Sequence, residues 1–299
     1  MQLKKNSTLI PLLMAYLGNI IWGFSFYFIA IAKRTAPASV LLSHRFIVAC
    51  LIMLILVAFR VVKVSFKGKN WWPAVLLVAF QYLYYIFEAA AITHTNTSLA
   101  GAGGAVSPVV AIILAAIFLK EYPTKRQAFF CLFPIAGVVI MTLAGKELGV
   151  VTATGALFLV LTILSSGSYK TINRKASEQF TAFERTVLLF IFSSVSFTVT
   201  ALQEIHWDWN AFIAPLAVPS YTASMLILAV FCSLVCNLMI NYATAKLPVV
   251  KISSLGALVT LVSMLAGVIL LQEPWDYTLL LGAVLVIVGI WQVTKVPKK

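Results

Sequence analysis

Glu88 stands in YLYYIFEAAAITHT (82–95), a run otherwise apolar enough to lie in hydrocarbon, with Tyr84 and Tyr85 about one helical turn before it and Gln81 a turn further back. On a helix these positions share one side, so the stretch gathers a carboxylate, two aromatic faces and an amide. Three chemistries fit that set. A carboxylate and aromatic faces together hold an ammonium group, which makes Glu88 a counter-charge for a cationic substrate. A carboxyl buried in the membrane can instead carry a proton, so that protonation and substrate occupancy compete. The third chemistry is a fixed ion pair, for which Arg45, at nearly the same depth in the preceding apolar run, is the candidate. A pair that opens would also receive the two ends of a zwitterion such as an amino acid.

Other polar and aromatic residues at helical spacing form a second tier. Asn19, Trp22 and Phe26 lie about one turn apart, with Gly23 beside Trp22 permitting close approach of a helix or ligand. They read either as aromatic core or as the lining of a cavity. Asn237 and Asn241, four apart, put two amides on one face, which suits a cavity better than lipid; an interhelical hydrogen bond, worth ~0.6 kcal/mol in membranes, is the alternative. Lys170 is expected to end its span and extend its stem to the interface. Cys232 and Cys236 share a face without a His or carboxylate beside them, so packing is preferred and no metal or cofactor is expected. The run AGAGGAVSP (100–108) follows no strand and has no Lys-Ser/Thr after it, which leaves close helix packing and a kink at Pro108. No HExxH, aspartate pair or Ser-His arrangement offers a catalytic site, so an intramembrane enzyme is a remote alternative.

The elements that must position these residues are read from composition. The chain has 299 residues, 62% hydrophobic and 10% charged, too apolar for soluble domains. Apolar runs of the length needed to cross ~30 Å of hydrocarbon recur near 9–31, 38–60, 73–95, 98–119, 127–145, 148–170, 182–203, 221–245, 249–271 and 277–294. Ten transmembrane helices are expected. The net charge of +13 does not point to nucleic acid, because the basic residues lie in the breaks between spans. With the amino terminus inside, the inner segments carry 18 Lys and Arg and the outer ones Lys33, Arg34 and Lys146. Both termini are therefore expected in the cytoplasm, with a bacterial cytoplasmic membrane favoured by short loops and the lack of a cleavable signal.

The chain also repeats itself. Slid along its own length, AVSPVVAIILAAIFLKE (105–121) falls on ALVTLVSMLAGVILLQE (257–273) without a gap, bringing Glu121 onto Glu273, Gly104 onto Gly256 and Ala91 onto Ala243. SHRFIVACL (43–51) lies over FERTVLLFI (183–191), pairing Arg45 with Arg185. Two repeats of five spans, 1–146 and 147–299, are expected. An odd span count inverts the second repeat, the arrangement used for alternating access and not needed by a channel. Glu88 falls opposite Ile240, so the acid belongs to one half alone. Glu121 and Glu273 close the fourth and ninth spans, where gating or structural contacts are expected.

WGFSF (22–26), HRF (44–46), the SP at 107–108 with FLKEYPTKRQ (118–127), and LLQEPWDYTLLLG (270–282) together resemble the drug/metabolite transporter superfamily, in its members with two EamA-type repeats. The likeness covers the whole chain. It implies a ten-helix transporter with a central cavity lined by the first, third, sixth and eighth helices. LSSGSYK (164–170) departs from it, with Ser166 where the first repeat has Trp22. The resulting expectation is a secondary transporter, functional as a monomer in the lipid bilayer, for small polar or amphiphilic molecules. Amino acids or organic amines are favoured, with possible coupling to protons, and broad export of lipophilic cations is the alternative.

Overall fold

The computed structural model describes residues 3–94, 106–143, 152–272 and 276–295. The glycine run 100–105, Lys146, Glu273 and the beginning of the fourth expected span lie outside them. The described residues are helical throughout their ordered elements: α1 (Leu3–Ala32), α2 (Ala38–Ala58), α3 (Trp72–His94), α4 (Ser107–Phe118), α5 (Lys125–Phe130) and α6 (Leu132–Leu143) in the first half. The second half contains α7 (Ala153–Ala176), α8 (Ala182–Glu204), the short α9 (Trp209–Ile213), α10 (Pro219–Ile227), α11 (Cys236–Lys246), α12 (Val249–Leu255), α13 (Ala257–Leu270) and α14 (Tyr277–Lys295). Among the described residues eight helical segments are long and apolar enough to cross a membrane, and α4 is a shorter apolar helix of 12 residues. The 23-residue α3 spans about 35 Å at ~1.5 Å per residue.

Helix ends follow local chemistry. Thr124, Thr152 and Thr181 cap α5, α7 and α8 with their side chains, and Gln127 and Glu184 complete capping boxes with Thr124 and Thr181. Chain reversals after α2, α4 and α13 pass through left-handed residues Arg60, Lys120 and Gln272. Lys120 and Gln272, both at φ 55°, occupy equivalent places in FLKE and LLQE, so the duplicated sequence is also a duplicated turn.

Two findings depart from the sequence reading. The sixth helix does not end at Lys170: α7 runs on to Ala176, placing Lys170 about 9 Å before its end at ~1.5 Å per residue. The eighth span is not one regular helix, because a π-helical stretch, Leu228–Val235, separates α10 from α11. Wide i→i+5 turns of this kind often accompany functional sites.

Corresponding helices of the halves pack in corresponding ways. α1 runs antiparallel to the eighth segment, where the Cys236 thiol donates to the Gly18 carbonyl (3.3 Å) and Gly18 faces Ile240. α7 likewise runs antiparallel to α3, Phe158 meeting Phe87 and His94 at ring distances of 6.3 and 5.4 Å. α2 and α8, second in each half, pair through Ser43 and Thr198 (2.7 Å) and the stacked rings of Phe46 and Phe197. Gly23 lets α13 approach α1: a Cβ there would lie 2.5 Å from the Val262 Cβ. Gly167 does the same for α7 and α4, where a Cβ would lie 2.7 Å from the Val110 Cβ. Val110 and Val262 are partners in the ungapped repeat.

Candidate functional site

α3 delivers its polar set as one surface. The Tyr84 hydroxyl donates to Glu88 Oε1 at 2.6 Å, one turn along, and the rings of Tyr84 and Tyr85 lie 5.1 Å apart. Tyr85 packs edge-on against Phe197 of α8, also at 5.1 Å, and interacts with Gln81 on its own helix. All four, Gln81, Tyr84, Tyr85 and Glu88, are partly buried. The carboxylate, the phenol and the amide are therefore assembled as the spacing predicts.

Arg45 is engaged elsewhere. Its Nε donates to Ser233 Oγ at 2.5 Å and an Nη to the Cys232 carbonyl at 3.2 Å, both within the π stretch. A π turn breaks the regular i→i+4 ladder, which leaves a carbonyl able to accept from outside the helix. The ion pairs among the described residues are Lys69–Glu184, Arg174–Glu121 and Lys175–Glu178. Arg45 and Glu88 form no ion pair with each other.

The remaining candidates divide. Trp22 packs partly buried against the core, whereas Phe26, a turn on, is 53% exposed and leaves the packed interior. Asn19 is buried and donates to the Ala15 carbonyl of its own helix at 2.6 Å. Asn237 does the same to the Ser233 carbonyl at 2.8 Å. Asn241, expected to face a cavity, takes the interhelical role instead. Its Oδ1 accepts from Asn173 at 2.9 Å, its Nδ2 donates to Thr186 at 2.8 Å, and its carbonyl accepts from Arg185 at 2.5 Å. Arg185, wholly buried, also donates to the carbonyl and side chain of Asn173. The two arginines paired by the repeat thus both grip the eighth segment, one at the π stretch and one at α11.

Sequence reasoning missed a further contact. Lys170 Nζ donates to Ser107 Oγ at 2.7 Å, joining α7 to α4 inside the bundle. The signal was present in the repeat, since Lys170 stands where an apolar residue would serve, but its depth depended on where α7 ends. Near the basic end of the bundle Glu121 behaves as its position suggested: Oε1 accepts from Arg174 at 2.8 Å and Oε2 from the Val249 amide at 2.8 Å. Arg174 also reaches the carbonyls of Thr244 and Ala245 at 3.1 and 2.7 Å, so one ion pair ties α4, α7, α11 and α12.

Comparison with known proteins agrees with this architecture. The model of the EamA-like transporter family matches twice, over residues 9–143 and 153–295. A protein of Bacillus subtilis (strain 168), named uncharacterized transporter YcxC, is 30% identical over 92% of this chain and 90% of its own length. An uncharacterized transporter of Archaeoglobus fulgidus is 22% identical over 92% of this chain and 95% of its own. One solved crystal structure superposes with a TM-score of 0.79 over 97% of this chain and 96% of that one, at 16% identity, a likeness of fold alone. With two family matches lying on two similarly packed halves, the chain belongs to the EamA-like transporter family.

Proposed function

We propose that this transporter is a secondary carrier of small polar or amphiphilic metabolites, amino acids and organic amines foremost, working by alternating access between its two repeats. The observation that carries the reading is the state of Glu88: its carboxylate is held by the Tyr84 hydroxyl at 2.6 Å, while Arg45 is spent on Ser233 and the Cys232 carbonyl. With no cation paired to it among the described residues, the carboxylate is free to meet an ammonium group beside two tyrosine rings, or to exchange a proton. Inverted five-helix halves supply the two exchangeable conformations. The reading takes the carrier as a monomer in the cytoplasmic membrane, with both termini inside on the count of basic residues in the breaks, driven by protons or by the solute gradient.

Reconstituted proteoliposomes test this. Glu88→Gln is expected to leave the protein folded while abolishing uptake of an amine or amino-acid substrate, or its dependence on pH. Transport by that variant with wild-type pH dependence would remove Glu88 from the mechanism. The ring cluster of Tyr84, Tyr85 and Phe197 supports a second reading, export of lipophilic cations. Tetraphenylphosphonium competing for the same site would favour it.

A further inference from the structure

We propose that Lys170 and Ser107 form a second station on the transport path, one that takes a singly charged anionic group: the carboxylate of the substrate or a free anion such as chloride. The inference rests on the transport reading above and narrows its substrate class toward molecules that carry a carboxylate.

Cations dominate the charges placed within the spans. Arg45, Lys170 and Arg185 are three helix cations that join no ion pair among the described residues, whereas Arg174, Lys175 and Glu184 on the same helices as the last two are paired. The two arginines are committed to carbonyls and side-chain oxygens of neighbouring helices. Lys170 differs. An ammonium group has three N–H donors, and Ser107 Oγ is its hydrogen-bond partner among the described residues, so donors remain for a ligand. The residue is partly buried, neither sealed in the core nor facing out. A cation within the membrane that lacks a counter-charge marks a route or a site.

The place is built for proximity. Gly167, one turn before Lys170, admits Val110, and a Cβ there would lie 3.0 Å from the Ala111 nitrogen. Thr171 Oγ1 donates to the Ala111 carbonyl at 3.1 Å. These contacts hold the Lys170 face of α7 against the start of α4. The other half provides a control. With Gly23 matched to Gly167, Phe26 takes the position of Lys170; with Val262 matched to Val110, Val259 takes that of Ser107. The same glycine-to-valine approach is made there without a charge or a hydroxyl. Packing does not require Lys170 and Ser107, so another demand explains them.

The station is distinct from Glu88. Phe158 on α7 meets Phe87 and His94 on the antiparallel α3. From that register Lys170 lies about 14 Å nearer the basic end than Glu88, at ~1.5 Å per residue. A small zwitterion meets the two in turn, not at once.

The test uses full-length protein in detergent: wild type, Lys170→Met, Lys170→Arg and Glu88→Gln, with thermal unfolding as the folding control. Binding is measured for the common L-amino acids, for their decarboxylated amines, and for chloride replaced by gluconate. At least one amino acid is expected to bind wild type and to lose about tenfold in affinity in Lys170→Met, about 1.4 kcal/mol. Lys170→Arg should retain most of that affinity and the amines should be unaffected. If chloride alone shows the Lys170 dependence, the anion is free and not part of the substrate. Amino acids and chloride that bind Lys170→Met as they bind wild type, or that leave wild type unbound, overturn the station. Amines whose binding ignores Glu88→Gln overturn the earlier reading and leave the station standing.

Discussion

Asn237 and Asn241 show why a residue's type does not fix its work. Both are amides on one helix, four residues apart, yet Asn237 bonds its own helix while Asn241 joins Asn173, Thr186 and Arg185. Removing the Asn241 side chain leaves the Asn173 amide donor and the Thr186 acceptor without it, which costs ~1–3 kcal/mol for such groups, while the Arg185 bond to the backbone carbonyl stays. Asn241→Ala is therefore expected to lower the unfolding temperature in detergent clearly more than Asn237→Ala, and equal losses would contradict the network. Arg185 belongs to the same lesson. Buried without a carboxylate among the described residues, it is balanced by oxygen acceptors, an arrangement suited to a planar guanidinium with its fork of donors. Arg185→Lys, though it keeps the charge, is expected to destabilise nearly as much as Arg185→Met.

At the scale of elements, the ends of helices hold the frame and the ion pair at the basic end closes it. Thr181 accepts from the Glu184 amide and Glu184 answers at the Thr181 amide, while Glu184 also accepts from the Ser65 amide at 2.8 Å and pairs with Lys69. Loss of such a cap costs about 1 kcal/mol, the change expected for Thr181→Ala on thermal unfolding. The Glu121–Arg174 pair is partly buried and fixes four helices at one end of the proposed path. Glu121→Gln keeps shape but weakens the tie. In a background without native cysteines, a cysteine placed at Ser107 should then react faster with maleimide applied from the basic side. Unchanged labelling would show that this end is closed by packing instead.

For the whole molecule, the two halves meet through glycines that let helix axes approach. A Cβ at Gly23 would crowd Val262, and one at Gly167 would crowd Val110, in each case by more than a side chain can yield without moving. Gly23→Ala and Gly167→Ala should each lower stability by ~1–3 kcal/mol, the range for overpacking. Val262→Ala and Val110→Ala should recover part of the loss in their own pair and not in the other. Cross-rescue, or none, would mean that the two contacts are not equivalent joints.

The sequence by itself determined the class. Apolar runs set by hydrocarbon thickness and a repeat that is gapless from Ala91 to Glu121 carry the all-helical membrane architecture in two halves, because each is a local or periodic property of the chain. The shared face of Gln81, Tyr84, Tyr85 and Glu88 was legible for the same reason, since spacing on one helix is fixed by its pitch. What joins one helix to another was decided by tertiary structure. Arg45 and Glu88 lie at similar depth, yet Arg45 turns to a carbonyl made available by a π stretch that apolar periodicity does not reveal. The helix that carries Lys170 was read as ending there because Arg174 and Lys175 look like an end by hydropathy, whereas α7 continues through them. A partner on another helix is a property of the packed bundle, and spacing along α7 alone does not show that Lys170 meets Ser107 of α4.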